Sequence, residues 1–274
     1  MGRMKLLTLN THSWLEEHQI PKIFSLARQI VARGVDVVCL QEVNQYQHSP
    51  AVYDPEGYTG AATRPVREDN YAWLLVRALR ALGWEAPQWA WAEAHEGFGL
   101  YDEGVAIISR HPVEQVEVLP HHTPGTEPYA YSDVRRRVSL AARINGRWVV
   151  TTHLSWWPQA RTEWEALQPQ LENLGGGEAM ILAGDINNPA HLRGEGYDLM
   201  ITSGWVDSFH TAGTVLGEAT VHKKIHGWED NEEALRIDVV LCTPDLQPTH
   251  HEVVFADNTA DALSDHSALI VEIP

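Results

Sequence analysis

The strongest constraint on this chain is a series of short apolar runs, most of which stop on or beside a polar residue. Strand-like segments read at 5–9, 35–40, 104–109, 138–144, 148–152, 180–183, 237–241 and 268–273. Runs this short and this apolar suit strands buried in a sheet rather than helices. At or beside their ends stand Asn10, Glu42, His153, Asp185 with Asn187, Asp238, and Asp265 with His266. An acid, amide or imidazole at the rim of a sheet is positioned by rigid structure yet open to a ligand.

Between the strands, three segments carry helical periodicity. Pro21, Ile23, Leu26, Ala27, Ile30 and Val31 follow a 3.6-residue period, with Gly34 as a stop. Residues 70–82 form a second helix with an apolar face at Trp73, Leu74, Val76 and Leu79, and 158–174 a third, ended by three glycines. A soft boundary at 123–125 divides the chain into halves, each with strands inside and helices outside. Two packed sheets flanked by helices fit this order better than one doubly wound sheet, and the whole of 1–274 reads as one domain.

With 274 residues, 44% of them apolar, the chain can bury a sizeable core without a metal or disulfide to hold it. Cys39 and Cys242 each sit inside an apolar run and read as buried free thiols, which fits a reducing compartment. The segment MGRMKLLTLNTHSW reads as a first strand, not a signal peptide, and no run is long enough for a membrane helix. The expectation is a cytoplasmic protein that meets no membrane, and no obligate protein partner is indicated. Thirty-seven acidic against 20 basic residues give a net charge of −17. Such a field repels a polyanion and argues against nucleic acid as substrate, while it suits a site that holds a divalent cation.

The polar rim residues have competing readings. Glu42 follows the apolar run VVCLQ, which argues against a plain surface carboxylate, and it matches Asp265 in type. Asp185 and Asn187, two apart, would share one face of a strand or else form an Asx-turn; Gly184 before them permits close backbone approach. Asp238 can fix the tautomer of a histidine and raise its pKa. Arg135, Arg136 and Arg137 form a run that suits phosphate geometry or simply a solvated face.

In order, LNTHS, LQEVN, TTHLSWW, AGDINNP, RIDVVL and SDHSALI resemble the motifs of the endonuclease/exonuclease/phosphatase superfamily, over about residues 4–273. The resemblance implies a four-layer α/β sandwich of two mainly antiparallel sheets and a metal-dependent hydrolase of phosphate esters. It implies Mg²⁺, with Mn²⁺ able to substitute, held by Asn10, Glu42 and Asp265. Asp185 would orient or deprotonate the attacking water with help from Asn187. His153 and His266, as imidazolium groups, would hold phosphoryl oxygens, and Asp238 would orient His266. A catalytically inactive binding module would have lost one of these residues, and all are present.

The finer pattern, with RRRVSLAARI and HGWEDNEEALRID, is similar to a bacterial branch that includes maltose-6'-phosphate phosphatases. It implies a small phosphorylated sugar as substrate, with a nuclease or other phosphodiesterase as the alternative. His12, Trp14, Asn44, Arg136, Trp156 and Trp157 are the candidate substrate contacts. Aromatic faces suit sugar rings, although each tryptophan is equally a core residue. His222 and His226 depart from the acids of that branch and are either surface residues or part of an altered pocket. His121, His122, His250 and His251 read as loop residues with no role.

Overall fold

The computed structural model of the protein describes residues 2–123 and 125–274. Met1, the first residue of the expected N-terminal strand segment, and Pro124, in the expected boundary, lie outside the described residues. The elements run β1 (Met4–Asn10), α1 (Gln19–Arg33), β2 (Val37–Gln41), β3 (Gln45–Tyr46), α2 (Tyr71–Ala81), β4 (Gln88–Gly97), β5 (Tyr101–Ser109), β6 (Val113–Pro120), β7 (Val138–Ile144) and β8 (Arg147–His153). They continue with α3 (Gln159–Gly175), β9 (Met180–Asp185), α4 (Gly196–Thr202), β10 (Val206–Asp207), α5 (Ser208–Thr211), β11 (Thr214–Leu216), β12 (Asp238–Cys242), β13 (His250–Val254) and β14 (Ala268–Ile273).

Two sheets form. One has the order β11-β13-β14-β1-β2-β5-β3, with β4 also paired to β5; the other runs β10-β12-β9-β8-β7-β6. Pairing is mainly antiparallel, and the parallel pairs β1–β2 and β8–β9 matter most for function. A parallel pair needs a crossover, and α1 and α3 supply it. Those two connections put helices on the outer faces and set the C-terminal ends of paired strands side by side.

The strands alternate with period two. Leu6, Val37, Cys39, Ile107, Ala142, Val149, Ile181 and Val240 meet between the sheets. Leu7, Leu9, Val38 and Leu40 pack outward with the apolar residues of α1 and α2, and Val150, Leu182 and Leu241 pack with those of α3. The architecture is the four-layer α/β sandwich. Both cysteines are buried and unpaired.

Several expectations are corrected. The face of α2 buries Ala72, Leu75, Val76 and Leu79, whereas Trp73 and Leu74 lie at its edge. The boundary at 123–125 does not divide the sheets: β13 and β14 return to the first sheet, where β14 pairs with β1. His250 and His251 open β13 and so are not loop residues, whereas His121 lies in the bend after β6 as expected but is buried, with Nε2 2.8 Å from Ser139 Oγ. No helix among the described residues is long and apolar enough to cross a membrane.

Candidate active site

The site lies where the ends of β1, β2, β8 and β9 and the start of β12 converge. In the second sheet, register alone aligns three residues in one row: His153 pairs with Asp185, and Asp185 with Asp238. In the first sheet, Asn10 pairs with Gln41, which places Glu42 one residue beyond. Beneath them the Gln41 amide donates to Thr151 Oγ1 at 2.8 Å and so ties the two sheets together.

The segment LNTHS serves to hold Glu42. Asn10 Nδ2 donates to Glu42 Oε1 (2.9 Å) and to Asp185 Oδ2 (3.0 Å). The hydroxyls of Thr11 and Ser13 donate to the Glu42 carbonyl at 2.8 and 2.6 Å. Glu42 has φ 49°, a left-handed conformation costly for a side chain with a Cβ; these bonds offset that cost and turn its carboxylate into the cleft. Asn10 Oδ1 accepts from the His12 N–H (3.1 Å), and what the side chain presents to the two carboxylates is a donor.

Asp185 ends β9. Its Oδ1 accepts from the Asn187 N–H at 2.8 Å, an Asx-turn, and Asn187 has φ 49°. The Asx-turn is the reading that holds: Asn187 lies beyond the end of β9, and the turn brings its Nδ2 within 3.1 Å of His153 Nε2. Asn187 Oδ1 accepts from Trp228 Nε1 (3.1 Å) and Nδ2 donates to the Leu154 carbonyl (3.0 Å), which orients the amide. Burial pushes the Asp185 carboxyl up to about 7, with His266 and Asn10 opposing the shift and Asp238 adding to it.

The two histidines carry different charge. His266 Nδ1 lies 2.9 Å from Asp238 Oδ2, and Nε2 3.8 Å from Asp185 Oδ2. Burial opposes a charge on this ring, yet Asp238, Asp185 and Asp265 together hold its pKa well above the ordinary value. His153 is the reverse. Burial and then the Arg137 guanidinium hold its pKa well below the usual range. Arg137 donates to Nδ1 at 3.0 Å, so Nδ1 is an acceptor and the ring proton sits on Nε2, facing the cleft. Of the two expected imidazolium groups, His266 is one and His153 is a neutral donor.

The cleft encloses about 380 Å³. Glu42 and Asp265 line it together with His153, Asp185, Asn187 and His266. His12 and Trp156, both expected as substrate contacts, also line it. His12 Nδ1 lies 2.7 Å from Glu16 Oε1 and 3.6 Å from Asp265 Oδ2, and these three side chains are spaced as a cation would need. The donor set, mostly hard oxygens that outnumber the nearby cationic groups, fits a divalent metal.

Four other expected contacts are elsewhere. Asn44 is fully buried and donates to the Ser13 carbonyl (2.9 Å); Trp14 donates to the Asp69 carbonyl (3.0 Å). The Arg136 guanidinium bonds the Ala94 carbonyl, and Trp157 lies beside Arg161. The arginine in the cleft is the next one, Arg137, because consecutive residues of an extended segment point to opposite sides. His226 lines the cleft, while His222 pairs with Asp257 at 2.6 Å. His95 and Glu103, cross-strand partners in β4 and β5, also line it and carried no signal in the sequence beyond ordinary strand charges. Burial, and then Arg137, pulls His95 down to about 3, while burial beside Glu42 pushes Glu103 up to about 8.

Comparison with curated proteins gives no match. Among solved structures, an endonuclease/exonuclease/phosphatase family protein from Leptotrichia buccalis is 30% identical, with 99% of each chain covered and a TM-score of 0.81. A mannosyl-6-phosphatase from Bacteroides thetaiotaomicron shares the fold at 15% identity, 99% of each chain and a TM-score of 0.67. A truncated TDP2 from Caenorhabditis elegans does so at 16% identity, over 99% of this chain and 97% of that one, with a TM-score of 0.62. Residues 7–266 match the model of the Endonuclease/Exonuclease/phosphatase family. Geometry, fold and sequence thus agree, and the chain belongs to that family of metal-dependent hydrolases of phosphoester bonds.

Proposed function

We propose that this enzyme is a Mg²⁺-dependent phosphomonoesterase of a small phosphorylated sugar. The observation that carries the reading is the cleft itself. It encloses about 380 Å³, and among the described residues Arg137 is the one arginine or lysine that lines it. Duplex recognition relies on many basic groups along a phosphate backbone, and a chain of net charge −17 with one cleft arginine suits a small anion instead. The mannosyl-6-phosphatase of the same fold supports a sugar ester.

Glu42 and Asp265 would hold the metal, and Asn10 positions Glu42 and Asp185. A divalent cation bound there neutralises phosphoryl charge and polarises the ester. Asp185, buried and with a raised pKa, accepts the proton of the attacking water, and the Asn187 N–H holds Asp185 in place. His266, kept charged by Asp238, and the Nε2–H of His153 donate to the phosphoryl oxygens. Among the described residues no serine or cysteine lines the cleft, which supports direct attack by water.

The test is phosphate release with Mg²⁺ from sugar phosphates, nucleotides and inositol phosphates, beside nicking of plasmid DNA. Release from a hexose or disaccharide phosphate, lost in Asp185→Ala, is expected. Glu42→Gln should weaken Mg²⁺ binding, measured calorimetrically, by about tenfold or more. Nicking of DNA without phosphate release would overturn the reading in favour of a phosphodiesterase.

A further inference from the structure

The cleft has two chemically different walls. One is polar: His95 and Glu103 face it as cross-strand partners, with His95 Nε2 3.3 Å from Glu103 Oε1. The other is a lip of the apolar Phe98, Val134, Trp156 and Ile225, with the ring of His226 against Phe98. Its parts come from different layers. Phe98 sits at the β4–β5 turn of the first sheet, and His226 on the segment that leads into β12 of the second. Their ring centroids are 5.8 Å apart, so two separate loops meet over the cleft through one ring contact.

Folding alone gives no reason for this arrangement. Phe98 is 53% exposed and has φ 53°, a strained conformation for a residue with a Cβ, and it lies outside the core clusters. His226 is held to the catalytic row by its neighbours. Trp228 donates to Asn187, and Gly227 lies so close to Trp156 that a Cβ there would be 2.3 Å from the ring. Phe98 is not a lone exposed side chain: with Val134, Trp156 and Ile225 it lines the mouth of the cleft, and a contiguous apolar patch rimmed by polar groups marks a binding surface.

A ring alcohol is amphipathic in the same sense: hydroxyls project from its edge and C–H groups cover its faces. We propose that Phe98 and His226 are specificity-determining residues that hold the face of the leaving alcohol, while the His95–Glu103 wall meets its hydroxyls. The pair selects esters of a compact polyhydroxylated ring over acyclic esters. This inference rests on the phosphomonoesterase reading above.

The experiment compares phosphate release from glucose 6-phosphate and from glycerol 3-phosphate by the wild type, Phe98→Asn and His226→Leu. Asparagine tolerates the left-handed backbone at 98. Each variant should raise KM for glucose 6-phosphate about tenfold with kcat within about twofold, and leave glycerol 3-phosphate within about twofold in both. Thermal midpoints within about 2 °C of the wild type show that the fold is retained. A shift of equal size for both esters, no shift in either, or a change confined to kcat overturns the proposal. Release from neither ester by the wild type overturns the proposed selection, and the phosphomonoesterase reading falls with it only if the other sugar phosphates, nucleotides and inositol phosphates are left intact as well.

Discussion

His266 Nδ1 lies 2.9 Å from Asp238 Oδ2, a buried ion pair formed where the start of β12 approaches the loop before β14. The opposite ring nitrogen, Nε2, points toward Asp185 at 3.8 Å. Asp238 thus fixes both which nitrogen faces the cleft and the charge it carries. Asp238→Asn should lower kcat/KM about a hundredfold or more. The sign for pH follows from the direction of the shift. Asp238 raises the pKa of His266, so its loss lowers that pKa, and the alkaline limb of the pH–rate profile moves to lower pH. An unmoved limb would show that His266 does not act as a charged donor.

Asp185 should produce the acidic limb. Burial pushes its carboxyl up to about 7, and only the ionised form accepts a proton from water. Activity is expected to rise with pH up to about 7 and then level, and Asp185→Asn should abolish it. Stability moves the other way. The folded pKa exceeds that of the unfolded carboxyl, so the neutral form's contribution is complete below the unfolded value and lost as pH rises through about 7. The thermal midpoint of Asp185→Asn should gain on the wild type between pH 5 and pH 8, which scanning calorimetry would read directly.

Burial and then Arg137 keep His153 neutral, and Arg137 sets its tautomer from 3.0 Å away. In Arg137→Gln the repulsion of the guanidinium is gone, so the His153 pKa rises toward its ordinary value. Ring resonances of His153 followed by NMR across pH should report the shift. Phosphate release should fall about tenfold to a hundredfold. A His153 resonance that titrates as in the wild type would remove Arg137 from this role.

Gly184 is where the strand before Asp185 allows no side chain. At φ 146° a Cβ would lie 2.0 Å from the Thr152 carbonyl and 3.0 Å from the Gln41 amide. Gly184→Ala must separate β8 from β9 and loosen the Gln41–Thr151 bond between the sheets. A loss above about 2 kcal/mol, read from denaturant unfolding, is expected. Wild-type stability in this variant would mean that the strands separate here at little cost.

The sequence by itself determined the strands that carry the site and the residues at their ends. Apolar alternation registers burial, and a polar residue that breaks the run marks the rim, so His153, Asp185, Asp238 and His266 were legible as a set. Short or polar strands were not: β4 reads as alanine, tryptophan and charge, β13 as histidines, and their pairing depends on partners distant in the chain. Only the tertiary structure decided which of two adjacent arginines enters the cleft, Arg136 or Arg137, since side chains of an extended segment alternate and the run of three is symmetric to inspection. It alone separated a charged His266 from a neutral His153, because both rings are buried, which disfavours charge, and only His266 has a carboxylate about 3 Å away to overcome this, whereas His153 has a guanidinium. It alone brought Phe98 to His226, 128 positions apart in sequence and 5.8 Å apart in space, because the turns of two different sheets meet there only after the sheets have packed.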